Sequence, residues 1–118
     1  MLGKPGDGLK VAFGGLDGGR IGIAAQALGL MQRALDESVK YAKARHAFGK
    51  AIGEQPAIQT YLAEMEAKVQ ASRLLIHKAA SLKDAGKPCT REAATAKLFA
   101  TENAVWVCDR AVQIHGGY

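Results

Sequence analysis

The stretch 56–80, PAIQTYLAEMEAKVQASRLLIHKAA, decides the fold class. Its apolar or small residues Ile58, Leu62, Met65, Val69, Ser72, Ile76 and Ala79 step 4-3-4-3 along the chain. That spacing is a heptad seam, which belongs to helices packed at shallow angles and not to strands. Pro56 suits the first turn of such a helix, where its missing amide hydrogen costs nothing. At the other end, DAGKP (84–88) predicts a stop: Gly86 can take the left-handed conformation beyond the helix, and Pro88 blocks continuation. A helix over about 56–85 follows.

On its C-terminal side, Thr90 reads as a cap and a further helix runs toward HGGY (115–118). Ala94, Leu98, Thr101, Val105, Cys108 and Val112 repeat the 4-3-4-3 step, which predicts a second seam. On its N-terminal side, RHAFGKAIGEQP (45–56) reads as a glycine-broken loop. Before that loop, Asp17 is a candidate N-cap for a helix reaching about Ala44. The first half of that helix, IGIAAQALGLM, is apolar nearly all round. Its second half carries one stripe of Leu28, Met31, Leu35, Val39 and Ala42, with Arg33, Asp36, Glu37, Lys40 and Lys43 outside it. Residues 1–15 hold Pro5 and several glycines and read as an irregular leading segment; residues 16–118 form the helical unit. The expected class is all-α: three long helices, consecutive ones antiparallel, forming an incomplete up-and-down four-helix bundle whose core calls for one more helix.

Composition agrees. Of 118 residues, 48% are hydrophobic but only 6% aromatic, and alanine is abundant, which favours close-packed helices. The +5 net charge is spread among acids, as in DESVKYAKAR, and aromatics do not interleave with it, so nucleic acid is a poor partner. No apolar run approaches the ~20 residues of a membrane span, and the start carries no signal-peptide pattern; a cytoplasmic protein is expected, or one of the mitochondrial matrix in a eukaryote. Cys89 and Cys108 make no CxxC pair, and His46, His77 and His115 lie far apart, so no metal site is expected.

Three stretches carry chemistry that a plain helical scaffold does not need. LDGGR (16–20) brings an arginine to the first turn of a helix, a place suited to an anion. RHAFGK (45–50) combines a guanidinium fork, Arg45, with an aromatic face, Phe48. QIHGGY (113–118) offers an amide side chain, Gln113, and a glycine pair over which backbone amides can approach a ligand closely. Each also has a plain structural reading: LDGGR as a helix start, RHAFGK as a connecting loop whose Arg45 caps the preceding helix, and QIHGGY as a helix C-cap.

Taken together and in order, LDGGRIGIAAQALG, YAKARHAFGKAI, LAEME and AVQIHGGY closely resemble the C-terminal helical domain of acyl-CoA dehydrogenases, with the DGGR start most like the short-chain (butyryl-type) branch. The resemblance implies an FAD-dependent enzyme that removes a proton and a hydride from neighbouring carbons of an acyl-CoA thioester, giving a trans-2-enoyl-CoA, and hands electrons to an electron-transfer flavoprotein. It implies a homo-oligomer, dimer or tetramer, in which each FAD is gripped partly by a neighbouring subunit. Carried over by position, Asp17, Gly18, Gly19 and Arg20 would contact the acyl-CoA. Arg45, Phe48, Gln55, Gln113, Ile114, His115, Gly116 and Gly117 would contact FAD. Where most members carry a glutamine this chain has Pro56, and Gln55 is the neighbouring candidate. The family's usual base, a glutamate beyond the GGYG turn, falls outside the sequence, and the position used by a minority branch is Gly19. The chain is therefore expected to be a portion of the enzyme, truncated before the last helix and catalytically silent alone. The alternative expectation is a non-catalytic helical module that self-associates through its uncovered seam.

Overall fold

A computed structural model describes residues 3–117. Among these, α1 (Gly8–Gly14), α2 (Leu16–Ala44), α3 (Pro56–Asp84) and α4 (Thr90–His115) form the helices. A two-residue antiparallel hairpin, β1 (His46–Ala47) and β2 (Lys50–Ala51), and a 3-10 turn (Ile52–Glu54) connect α2 to α3. The three long helices appear where the periodicity puts them. α1 is a correction: the leading segment expected to be irregular is helical over seven residues, though none of these is buried. A short helix can form there because Gly15 keeps a right-handed helical backbone (φ −80°, ψ −20°), so α1 leads almost directly into α2. It gains no burial, and Leu9 and Phe13 stand exposed.

Consecutive helices run antiparallel, so α2 and α4 run parallel. Thr90 at the start of α4 meets Asp17 near the start of α2, and His115 at the end of α4 stacks on Tyr41 near the end of α2. The α2–α4 interface is the largest between elements. Its closeness follows from residue size: Ala24 and Ala27 on α2, and Ala93, Ala96, Ala100 and Ala104 on α4, are buried. Met31, Leu35, Met65, Val69 and Val107 fill the space between the three helices. α3 contributes its predicted seam; Met65, Val69, Ser72, Ile76 and Ala79 are buried, with Ile58 and Leu62 half-buried at the end nearer the loop. Cation–π contacts add to the α3–α4 contact through Tyr61 and Lys68, and a third lies within α4. The Arg110 guanidinium lies 5.2 Å from the Tyr61 ring and 5.0 Å from the Trp106 ring, and Lys68 Nζ lies 4.6 Å from the Trp106 ring. Each is worth about 0.5–2 kcal/mol at such half-buried sites.

The seam expected on α4 is displaced. Leu98, Val105 and Val112 are 66%, 74% and 71% exposed, and Cys108 is exposed as well. The buried row is Ala93, Ala96, Ala100, Ala104, Val107 and Ile114. α4 therefore has two apolar rows. The alanine row packs inside the chain, because only small side chains let α2 and α4 approach; the larger row is left on the outside.

Two caps also differ from expectation. Asp17 lies inside α2 and makes no cap hydrogen bond, Gly15 being the N-cap. Thr90 is the first residue of α4, and Cys89 is the N-cap. Both side chains are used elsewhere, as described below. The end of α3 is as expected: Gly86 has φ 64°, its amide donates to Lys83 O, and the Lys87 amide donates to Leu82 O, the paired closure of a left-handed helix end. No helix is long and apolar enough to cross a membrane among the described residues.

Two substitutions probe this core with opposite signs. Ala100 is fully buried, so Ala100→Leu overfills the core and lowers stability by about 1–3 kcal/mol in urea unfolding. Ser72 is also fully buried, and its Oγ has no hydrogen-bond partner. Ser72→Ala removes that unsatisfied group and raises stability by about 1 kcal/mol; a loss of stability would show that the hydroxyl is bonded.

Candidate functional site

The residues singled out in the sequence gather at opposite ends of the α2–α4 pair. At about 1.5 Å rise per residue, Asp17 and Arg45 lie roughly 40 Å apart along α2.

At the N-terminal end, Arg20 Nη1 donates to Asp17 Oδ1 at 2.7 Å, one helical turn away. Thr90 Oγ1 donates to the other oxygen, Asp17 Oδ2, at 2.6 Å. Thr90's hydroxyl first, then the Arg20 guanidinium and Lys83, hold the Asp17 carboxyl below its usual range. A carboxyl shifted down contributes stability that is present above its ordinary pKa and lost as pH falls through its folded one. Both oxygens of Asp17 are thus engaged within the chain, and Arg20 keeps guanidinium N–H groups for a ligand. Arg20 lines an open groove of about 330 Å³ together with Leu16, Gly19, Ile23 and Lys97. Two cations over an apolar floor suit an amphiphilic anion. Gly18 packs beside Lys83 Nζ, and Gly19 is exposed.

At the C-terminal end, Arg45 is the C-cap of α2; its amide donates to Tyr41 O, and its carbonyl accepts from the Ile52 amide at 2.9 Å. The exposed Arg45 side chain makes no hydrogen bond or ion pair among the described residues. Phe48 sits at the hairpin tip with φ 55°, followed by Gly49 with φ 82°. Left-handed φ at both positions is what a two-residue hairpin turn needs. In a bulky residue such as Phe it costs about 1–2 kcal/mol. Phe48 is 97% exposed, so nothing within the chain offsets that cost. Gly53 fixes the loop against α2: a Cβ there would stand 3.1 Å from Ala42 O. The hairpin was not legible in the sequence, because Phe-Gly is not among the usual signals for this turn. Gln55 is the half-buried N-cap of α3 and makes no side-chain cap bond.

At the α4 end the glycine pair follows its plain structural reading, as a helix end. The Gly116 amide is taken by the helix, donating to Val112 O at 3.0 Å. Its backbone (φ 62°, ψ −137°) lies in a region essentially reserved for glycine, which turns the chain off the helix. A helix C-terminus also presents carbonyls, which repel anions. The cations at this end are side chains, Arg45 together with the exposed Lys40, Lys43 and Lys50. Ile114 is 4% exposed and its side chain belongs to the core. Gln113 is exposed. His115 stacks on Tyr41 with ring centroids 4.5 Å apart, and its Nδ1 bonds Ala111 O at 2.8 Å. Tyr41 and His115 line an open groove of about 430 Å³ with Glu37, Lys40 and Ala44. Gly117 is exposed, and Tyr118 lies outside the described residues.

The Arg45 guanidinium, with no hydrogen bond or ion pair among the described residues, and the solvent-facing Phe48 three residues further on are groups that suit a ligand carrying both a diphosphate and flat rings, as FAD does. Asp17 and Glu92, the carboxyls that the structure shifts, are both lowered. A general base working near neutral pH needs the opposite shift. No group of three or more His, Cys, Asp and Glu side chains that could hold a metal ion occurs among the described residues.

Comparison with known proteins identifies the family. The family described as acyl-CoA dehydrogenase, C-terminal domain, matches residues 6–118. The chain is 52% identical to an acryloyl-CoA reductase (NADH) of Anaerotignum propionicum, covering all of this chain and 30% of that one. It is 48% identical to the CarC subunit of the caffeyl-CoA reductase–Etf complex of Acetobacterium woodii, covering 99% of this chain and 31% of the relative. The solved structure of butyryl-CoA dehydrogenase from Megasphaera elsdenii superposes with a TM-score of 0.98 at 49% identity, over all of this chain and 31% of that one. The chain thus spans under a third of the length of these relatives. Fold, motif order and sequence agree that this chain belongs to the acyl-CoA dehydrogenase family and corresponds to its C-terminal helical domain.

Proposed function

We propose that the chain serves as the C-terminal bundle region of an FAD-dependent acyl-CoA dehydrogenase of the short-chain type, contributing to acyl-CoA binding at one end and to FAD binding at the other. The observation that carries this reading is the exposure of Arg45 and Phe48 in one corner: a guanidinium without a partner among the described residues and, three residues on, an aromatic residue held at positive φ. Bound FAD would accept the hydride removed from the β carbon of the thioester. Arg45 would bind the diphosphate by charge-assisted hydrogen bonds, Phe48 would pack against the ligand, and Gln113 and Gly117 would line the same portion. Gln55, at the start of α3, stands in for the glutamine displaced by Pro56. Arg20 would hold the acyl-CoA.

The separation of the two ends supports an oligomer. Roughly 40 Å along one rigid helix keeps Arg20 and Arg45 of a single chain from serving the same reacting centre. The FAD that Arg45 reaches would therefore belong to a neighbouring subunit. The exposed row Leu98, Val105 and Val112 on α4 gives the bundle apolar surface to bury against further protein. Electrons would pass to an electron-transfer flavoprotein, in keeping with the Acetobacterium relative, which is a subunit of a caffeyl-CoA reductase–Etf complex. The chain alone is proposed to be inactive, since it spans under a third of the length of the enzymes it resembles. Measurable turnover of butyryl-CoA by the 118-residue chain with FAD and an artificial acceptor would contradict that.

The same exposed row supports a second reading, a non-catalytic module that self-associates. Sedimentation separates the two: a folded, strictly monomeric chain at high micromolar concentration contradicts self-association.

Two substitutions in the full-length flavoprotein test the FAD reading. Arg45→Ala removes a charge-assisted contact worth about 1.5–3 kcal/mol and lowers the FAD retained after gel filtration. Phe48→Gly relieves the left-handed strain, so folding stability is unchanged or up to about 1 kcal/mol higher while FAD retention falls. Unaltered flavin content in both variants would return Arg45 to a helix-end charge and Phe48 to a surface residue.

A further inference from the structure

Thr90 stands out because its side chain leaves the role its position suggests. As first residue of α4, beside the N-cap, its hydroxyl is close to the free amides of that helix, yet it donates across the interface to Asp17 Oδ2 at 2.6 Å. Asp17 in turn receives Arg20 Nη1 on its other oxygen at 2.7 Å. The residues are 73 apart in sequence for the first contact and three apart for the second. A carboxylate held by one partner swings about its terminal torsion; held through both oxygens by partners on two helices, it has one orientation. Arg20 inherits that orientation. From the geometry we infer that Thr90 is a positioning residue which, through Asp17, fixes the Arg20 guanidinium in the groove it shares with Lys97.

This deepens the proposed binding of acyl-CoA by Arg20 and rests on it. The arrangement also assigns Asp17 a different task from the substrate contact expected of it: it is a joint between α2 and α4. Freezing the guanidinium beforehand removes the rotamer entropy that a free arginine would lose on binding an anion. Lys83, whose Nζ stands beside Gly18, faces the same carboxylate from the end of α3 and adds to its electrostatic hold, without the directional bond that Thr90 makes.

The test compares Thr90→Val, Thr90→Ser and Arg20→Ala. In the full-length flavoprotein, butyryl-CoA affinity is followed by titration. In the 118-residue chain, the Asp17 carboxyl carbon is titrated by NMR. Thr90→Val is expected to weaken butyryl-CoA binding about 3- to 10-fold, and to move the Asp17 midpoint upward. Thr90→Ser, which keeps the hydroxyl, restores both. A purely structural role for Thr90 predicts no rescue by serine that tracks the Asp17 midpoint. If Arg20→Ala weakens binding and Thr90→Val does not, the positioning role is overturned while the acyl-CoA reading stands. If Arg20→Ala also leaves affinity unchanged, both are overturned. Weakening by Thr90→Val that serine does not reverse overturns the positioning role as well.

Discussion

The close, parallel packing of α2 against α4 is the constraint on which the rest depends. Buried alanines on both helices let the backbones approach, and side-chain contacts then tie the pair at each end. Thr90 and Asp17 join the N-terminal ends; Tyr41 and His115 join the C-terminal ends. A pair fastened twice acts as a strut. It fixes how far apart the arginine of the first turn and the arginine of the hairpin corner stand, and which way each end is presented. α3, antiparallel to both, supplies Met65, Val69 and Ile76 to fill the space behind the strut.

The two ends differ in electrostatic character for reasons that lie in the backbone. Helix starts present amide hydrogens and helix ends present carbonyls. The N-terminal groove combines Arg20 and Lys97 with apolar Leu16 and Ile23. At the opposite end the carbonyls of α2 and α4 disfavour an anion, and the exposed cations around the corner, Arg45 with Lys40, Lys43 and Lys50, oppose that. The strained Phe48 belongs to the same logic. A residue held at positive φ and fully exposed carries a cost that the isolated fold does not recover, and the proposed ligand would supply the missing contact.

Much of this was legible in the sequence. α3 has a single apolar face, so its heptad positions could be read without ambiguity, and Pro56 and Gly86 marked its limits. α4 has two apolar rows with the same period. Periodicity alone does not choose between them, and the larger Leu98, Val105 and Val112 were the natural choice. The structure buries the alanines because interhelix distance, a tertiary quantity, decides in their favour. Asp17 and Thr90 carry capping side chains, yet a cross-helix hydrogen bond outcompetes both local caps; its partners are too distant in sequence for spacing to reveal. The motif RHAFGK marked the corner between α2 and α3, but the hairpin that shapes it has no strong turn signal, whereas the helix end at Gly116 was one of the two readings QIHGGY allowed.

The account's central claim is that one bundle serves two reacting centres, its hairpin end reaching a cofactor that belongs to another subunit. The structure of the intact, flavin-loaded oligomer tests it most directly. The account predicts Arg45 within hydrogen-bond distance of the diphosphate of an FAD whose flavin ring lies against a different subunit's Arg20. Arg45 and Phe48 facing bulk water, or contacting an FAD whose flavin ring meets Arg20 of the same chain, would contradict it.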